Sequence, residues 1–300
     1  MKIGILTRVP GYTTRRLKEE ARARGHEIMN IKFPECYVEL ESDHPSVHYR
    51  GEALDDFDAI IPRIMPDMSV YGTAVLRQFE MMGVYTPIKS IAISRSRDKL
   101  RTAQILSKSH VGIPKTIFAR ETSDVDDLIE RIGGAPLIIK LASGTQGNGV
   151  VLAETKKAAK SVIQAFYVTN TSILIQEFIA ESAGTDIRAF IVGNKVIASM
   201  KRQSLDDDFR SNIHQGGVGT PIKLTDDEKK VALRAAKAMG LAICGVDLMR
   251  TNRGPMVLEV NPTPGLEGIE TATGRNVAGK IIEYIEHNAN RTMQKDKVGA

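Results

Sequence analysis

Several features are scarce in this 300-residue chain, and each scarcity excludes a class of protein. Its two cysteines, Cys36 and Cys244, are far apart and lack CxxC spacing, so we expect no disulfide framework and a cytoplasmic location. No apolar run approaches the roughly 18 residues that a membrane-spanning helix needs, so no membrane association is expected. The apolar start, Met1–Leu6, is followed at once by Arg8 and Pro10, which favours a first strand over a signal peptide.

Tryptophan is absent and aromatic residues make up 5% of the chain, which leaves few platforms for base stacking. Direct nucleic-acid binding is therefore not expected, although the net charge of +5 favours anionic partners. The six histidines are scattered and unpaired with cysteine, which gives zinc no support. No Ser–His–Asp or Cys–His pairing indicates covalent catalysis, and no P-loop or GxGxxG is present.

The order of the predicted elements indicates an α/β fold. A β-α-β opening, formed by Lys2–Thr7, Thr13–Arg24 and Glu27–Ile31, predicts a small parallel sheet. Arg63 ends a further strand, where open α/β sheets bind ligands, although a plain surface arginine fits equally well. The expected units are 1–94, 95–177 with a glycine-rich loop, 178–290 with a metal site, and a frayed tail, 291–300.

The stretch from Ala242 to Gly268 predicts two strands joined by a tight turn around Arg253. Because side chains alternate faces along a strand, a hairpin centred on Arg253 places Asp247 opposite Glu259, with Asn261 on the same face. Like charges in this position destabilise a sheet, and a cation between them would offset the repulsion. Oxygen ligands suit magnesium or manganese. The alternative is a solvated turn with two unrelated acids.

Lys140 lies inside an apolar strand, where a lysine is rarely buried without an anionic partner. The loop that follows contains Gly144, Gly147 and Gly149, whose exposed N–H groups could surround phosphate oxygens. The alternative is a lysine that extends from a sheet edge into water.

Three further segments carry polar groups. The segment Gln176–Ile179 has the pattern of an edge strand whose backbone could pair with an adenine ring, with Glu177 accepting from the exocyclic amine. Asp186 and Arg188 share a strand face, where a surface ion pair is the plain interpretation. Arg210 follows an acidic run and suits bidentate recognition of phosphate or carboxylate.

The order of these features resembles the ATP-grasp superfamily from about Ser94 onward, and nearly the full chain resembles the RimK family of ribosomal-protein glutamate ligases. The matching segments are LRQFEMMG, SRSRDKL, GGAPLIIKL, GTQGNGV, DFRSN and EVNPTPGLEGIE. The resemblance implies an ATP-grasp fold behind a small N-terminal parallel-sheet α/β domain. It also implies ATP-dependent addition of L-glutamate to the C-terminus of a small-subunit ribosomal protein, or synthesis of poly-α-glutamate, by a homo-oligomer, a tetramer in that family.

The resemblance further implies individual roles. ATP would be bound by Lys99, Lys140, Gly144, Gly147, Gly149, Glu177, Phe178, Ile179, Asp186, Arg210, Ser211 and Asn212. The catalytic groups near the phosphates and the substrate would be Arg188, Arg210 and Asn212. Two magnesium or manganese ions would be held by Asp247, Glu259 and Asn261. The segment Lys201–Leu205 is less arginine-rich than this family pattern, which leaves the acceptor open.

The residue types suit such a peptide-bond-forming ligase, because activating a carboxylate as an acyl phosphate needs positioning and charge neutralisation more than a nucleophile. A closing glycine-rich loop would keep water from the acyl phosphate. Two alternatives remain: the same chemistry on a small-molecule or carrier-protein acceptor, and a non-catalytic nucleotide-binding module. The metal set argues against the second.

Overall fold

A computed structural model of the protein describes residues 1–121, 124–142, 149–204 and 218–289. The N-terminal unit contains a three-stranded parallel sheet in the order β2-β1-β6 and a three-stranded antiparallel sheet, β3-β4-β5. Its elements are β1 Lys2–Thr7, α1 Tyr12–Ala23, β2 Glu27–Lys32, β3 Cys36–Glu39, β4 Ser46–Tyr49, β5 Glu52–Ala53, β6 Ala59–Arg63, α2 Ser69–Met81 and α3 Ser90–Arg97. The predicted small parallel sheet is confirmed, whereas the antiparallel sheet and α3, which runs across residue 94, were not predicted.

The central unit is built on a four-stranded antiparallel sheet in the order β7-β10-β8-β9. Its elements are α4 Lys99–Lys108, β7 Thr116–Ala119, α5 Val125–Ile132, β8 Leu137–Leu141, β9 Val150–Ala153, α6 Lys156–Val168 and β10 Ile173–Glu177. The expectation that Gln176–Ile179 belongs to an edge strand is wrong. Strand β10 pairs on both sides, with β7 and with β8, so its backbone groups are already used by the sheet.

The C-terminal unit is a five-stranded antiparallel sheet in the order β13-β12-β11-β14-β15, with helices packed against it. Its elements are β11 Thr185–Val192, β12 Lys195–Gln203, β13 Val218–Pro221, α7 Asp226–Met239, β14 Ile243–Thr251, β15 Gly254–Asn261, α8 Glu267–Thr273 and α9 Val277–Ala289. The sequence fixes both ends of α7. A capping box between Thr225 and Glu228 begins it, and Gly240, in the left-handed region at φ 72°, ends it.

The buried apolar residues form two main clusters. One is continuous through the N-terminal and C-terminal units, from Ile3 to Ile285. The other lies within the central unit, around Leu137, Ile163 and Ile173. The sheet of the central unit and helices α5 and α6 therefore have their own core, whereas Leu106 of α4 belongs to the larger cluster. Among the described residues, no helix combines the length and the apolar composition that crossing a membrane requires.

Candidate active site

The β14–β15 hairpin places Asp247 directly opposite Glu259, as the sequence predicted. The predicted centre of the turn is wrong, because Thr251 pairs with Gly254 and the centre therefore lies between Asn252 and Arg253. Continued regularly, that register would set Asp247 opposite Leu258. A β-bulge between Asp247 and the next residue moves the register by one and restores the pairing of the two carboxylates.

Asp247 is buried and held by two arginines. Arg188 donates from Nε to Oδ1 at 2.7 Å and from Nη2 to Oδ2 at 2.6 Å, and Arg202 donates from Nη2 to Oδ2 at 2.6 Å. Burial alone would raise the pKa of Asp247, but Arg188 and Arg202 overcome that effect and hold it below its usual range. Gly245 makes room for this contact, since a Cβ there would lie 3.3 Å from Arg188 Nε.

Asp186 completes the row of charges. It pairs across the strands with Arg202, which donates to its two carboxylate oxygens at 2.6 and 2.5 Å. The interpretation of Asp186 and Arg188 as a surface ion pair is wrong, because each binds a partner on a neighbouring strand and Asp186 is buried. The sequence-based reasoning missed Arg202 in this role. The feature that could have revealed it is a charged residue within a strand, in the segment Lys201–Leu205 that departs from the family pattern.

Glu259 differs from its neighbour. Its side chain is exposed, and within the described residues it forms no hydrogen bond or ion pair. Crowding by the protein around the cleft raises the pKa of Glu259 above its usual range, and the nearby Asp247 raises it further. Asn261 lies opposite Gly245, two residues along the same strand, and its Oδ1 accepts from Thr263 N at 3.0 Å.

These three side chains suit a hard cation. The oxygens of Glu259 are unoccupied by described residues, and Asp247 Oδ1 accepts only from Arg188, so both carboxylates keep lone pairs for a metal. The described part of the chain holds no cluster of three or more His, Cys, Asp or Glu residues suited to a metal ion. The amide oxygen of Asn261, which accepts from Thr263 N, is the third ligand that the sequence predicts.

Two lysines of the central unit, Lys140 and Lys99, lie near enough to Glu259 for its charge to affect them. Lys140 Nζ donates to Gln176 Oε1 at 2.6 Å, and Lys99 Nζ donates to Leu141 O at 2.9 Å. Burial lowers the pKa of Lys140 to about 8, with Glu259 opposing the shift and Lys99 adding to it. Burial likewise lowers the pKa of Lys99, again opposed by Glu259. Lys140 is not at a sheet edge, since β8 lies between β10 and β9.

The glycine-rich loop is described only at its end. Gly149 has φ 73°, and a Cβ there would lie 2.5 Å from Leu141 Cδ1, so this position requires glycine. Leu141 N donates to Gly149 O at 2.9 Å and closes the base of the loop beside Lys140. The other predicted ATP-binding residues lie outside the described residues. They are Gly144 and Gly147 in this loop, and Arg210, Ser211 and Asn212 in a later segment.

The segment predicted to line the adenine pocket, Glu177–Ile179, has a structural role. Glu177 Oε1 accepts from Lys115 N and from Arg253 Nη2, both at 2.6 Å, so this oxygen joins the central unit to the turn of the β14–β15 hairpin. Phe178 and Ile179 lie just beyond β10, and Ile179 packs with Met249, Met256 and Leu258 in a small separate apolar cluster. The sequence-based reasoning missed these apolar partners.

Comparison with known proteins agrees with this geometry. A model of the RimK PreATP-grasp domain matches residues 1–93, and a model of the RimK-like ATP-grasp domain matches residues 96–285. Among solved structures, the ATP-grasp ligase PsnB complexed with minimal precursor superposes with a TM-score of 0.76 at 20% identity, covering 95% of this chain and 98% of that chain. D-alanine–D-alanine ligase from Bacillus anthracis superposes with a TM-score of 0.67 at 19% identity, covering 98% and 99%.

The fold is therefore the ATP-grasp fold that the sequence predicted, and the protein is an ATP-dependent ligase. More narrowly, the chain belongs to the RimK family. It is 59% identical over 290 residues to a probable alpha-L-glutamate ligase of Hydrogenovibrio crunogenus, with 96% of each chain covered. It is 56% identical over 292 residues to another from Nitrosococcus oceani, with 97% of each covered.

Because the two facing carboxylates have different partners, neutralising each one should affect stability differently. Asp247→Asn should lower the free energy of unfolding by about 3 kcal/mol or more, because it removes the charge that compensates the buried Arg202 and the half-buried Arg188. Glu259→Gln should leave it nearly unchanged, because the exposed Glu259 side chain forms no hydrogen bond or ion pair among the described residues. Urea denaturation of both variants at pH 7 measures the difference. Equal losses would contradict this assignment.

Proposed function

We propose that this protein uses ATP to join L-glutamate to an acceptor carboxylate, the C-terminus of a small-subunit ribosomal protein. Synthesis of poly-α-glutamate is the second activity that the same chemistry allows. The observation that carries the proposal is the exposed Glu259 beside the arginine-bound Asp247, facing Lys99 and Lys140 across the cleft. The relatives named probable alpha-L-glutamate ligases, at 56–59% identity, support glutamate as the amine substrate.

Asp247, Glu259 and Asn261 would hold magnesium, with manganese as the alternative and two ions as the expected number. The bound metal supplies charge neutralisation at the phosphate oxygens of ATP. Within the chain, Arg188 and Arg202 keep Asp247 ionised and fixed in direction, since they hold its pKa down despite burial. Glu259 has no such anchor among the described residues, so metal binding should depend most directly on its charge.

The lysines would bind the nucleotide phosphates. Lys140 is oriented by Gln176, and Lys99 is oriented by a backbone carbonyl at the end of β8. Lys140 lies on the sheet that has its own core, whereas Lys99 begins α4, which packs into the larger cluster through Leu106. Movement of that sheet would bring Lys140 and the phosphates toward the metal ligands. Glu177–Ile179 would line the adenine pocket, with Ile179 and its methionine partners providing an apolar surface for the ring.

The chemistry then needs no enzyme nucleophile. An oxygen of the acceptor carboxylate attacks the γ-phosphorus, the bond to the bridging oxygen breaks, and ADP leaves. The amine of glutamate attacks the resulting acyl phosphate, phosphate departs, and the amine loses a proton. The cysteines are unsuited to covalent catalysis, because burial raises the pKa of Cys36 to about 12 and raises that of Cys244 further.

The direct test is a ligation assay with ATP, magnesium, glutamate and candidate acceptors. We expect ADP release to require both glutamate and a protein-tail acceptor, with one glutamyl residue added per ADP formed. Glu259→Ala should abolish ligation with little loss of folded structure, because it removes a ligand and not a core residue. Release of ADP with a small-molecule acceptor but not with a protein tail would contradict the acceptor assignment. Normal turnover by Glu259→Ala would contradict the metal assignment.

The pKa of Lys140 predicts a pH dependence for ATP use. With a pKa of about 8, Lys140 is charged below that pH and neutral above it, so kcat/KM for ATP should fall as the pH rises through 8. Lys140→Arg should move this decline to higher pH, because arginine stays protonated. Lys140→Ala should raise the ATP requirement sharply and remove the decline. Wild-type and Lys140→Ala profiles of the same height and shape would show that Lys140 does not bind the phosphates.

A further inference from the structure

Two arginines at the junction of the units have no place in the mechanism above. Arg63 is the last residue of β6, and Arg97 is the last residue of α3. Arg63 pairs with Thr7 at the carboxyl ends of two parallel strands, the edge where open α/β sheets bind ligands. Both guanidinium groups reach the loop that follows β15, so the N-terminal unit meets the metal-ligand strand here.

The two arginines bind only neutral acceptors among the described residues. Arg63 Nη1 donates to Pro264 O at 2.9 Å. Arg97 Nη2 donates to Ile64 O and to Thr263 Oγ1, both at 2.9 Å. Each guanidinium therefore uses one nitrogen, although it carries five N–H donors. The Nε of Arg97 is buried and has no hydrogen-bond partner, which is uncommon for a charged group.

Electrostatics also indicates a missing anion. Burial and, to a lesser extent, the neighbouring Arg97 lower the pKa of Arg63 to about 10. Burial lowers the pKa of Arg97 as well, although Glu259 and Asp67 act in the opposite direction. Both side chains stay charged at neutral pH, and neither forms an ion pair with a carboxylate among the described residues. A bound anion would offset the repulsion between the two arginines and use the free donors.

The position of the arginine contacts relates them to the predicted metal site. Thr263 and Pro264 follow Asn261 by two and three residues, so the arginine contacts lie within about 11 Å of that residue along the chain. The arginine contacts therefore lie close along the chain to the predicted metal ligand Asn261, on a segment that a substrate held there could contact. The lysines that serve the phosphates belong to the central unit, which leaves this side of the cleft for the other substrates.

We propose that Arg63 and Arg97 form a subsite for a substrate carboxylate that does not itself react, and that this subsite selects an acidic substrate. The inference rests on the proposed function. The carboxylate belongs either to the incoming glutamate or to an acidic residue at the end of the acceptor. The two sources can be distinguished, because removing an arginine should abolish the enzyme's preference for the acidic form of only one of these substrates.

The experiment compares substrates that differ by one carboxylate in the wild type, Arg63→Gln and Arg97→Gln. For the amine substrate the set is glutamate, glutamine and glutamate α-amide, and for the acceptor it is peptides ending in Glu or Gln. The wild type should lose about tenfold or more in kcat/KM when the recognised carboxylate is neutralised. In both variants that ratio should fall close to one. The affected set identifies the source of the carboxylate.

Two further variants separate recognition from structural support. Thr263→Val removes the Arg97 tether but keeps both charges, so it should retain the wild-type preference for the acidic substrate. Arg131→Gln is the matched control, an exposed arginine paired with Asp127 on α5, and it should match the wild type. Circular dichroism confirms folding of each variant.

Three results would overturn the subsite. They are a discrimination ratio that stays at the wild-type value in Arg63→Gln and Arg97→Gln, a change confined to the KM for ATP, and a loss of preference in Thr263→Val equal to that in Arg97→Gln. Wild-type protein that does not use glutamate at all would contradict the proposed function and, with it, the subsite. Active wild-type protein with one of the three results contradicts the subsite alone.

Discussion

The buried row of charges across the C-terminal sheet is the interaction on which the site depends. Asp186, Arg202, Asp247 and Arg188 lie on three adjacent strands and satisfy one another through paired hydrogen bonds. Removing one member leaves charged partners without compensation in a poorly hydrated environment, so the four residues constrain one another. The result is a carboxylate, Asp247, held ionised and fixed beside the exposed Glu259.

Register makes this row possible. In the β11–β12 hairpin, Ile191 pairs with Val196 but Phe190 pairs with Ala198, so Ile197 is an extra residue. The bulge in the β14–β15 hairpin has the same effect. Without the first bulge Arg202 would lie one residue out of step with Asp186, and without the second Glu259 would lie one residue out of step with Asp247. A shift of one residue turns a side chain to the opposite face. The arrangement of these charged side chains is therefore a property of both hairpins together.

The sequence predicted the parts of this site that depend on neighbouring residues, and missed those that depend on residues far apart along the chain. The Asp247–Glu259 pair and the buried lysine depend on local pattern, namely alternation along a strand and one charge in an apolar run. The estimate of the hairpin centre was wrong by half a residue, yet the bulge compensated and the pairing was right. Arg202 could not be assigned in this way, because its partners on β11 and β14 depend on strand order. The interior position of β10 was missed for the same reason, since one strand does not reveal its neighbours.

The three units divide the work of the cleft. The C-terminal sheet carries Asp247 and Glu259, the central unit carries Lys99 and Lys140, and the N-terminal unit shares the core of the C-terminal sheet and adds two arginines. The central claim is that the acceptor carboxylate is activated by direct phosphorylation. Labelling that carboxylate with the heavy isotope of oxygen tests it most directly. One labelled oxygen should appear in the phosphate released with each ligation, whereas unlabelled phosphate accompanying ligation would contradict the account.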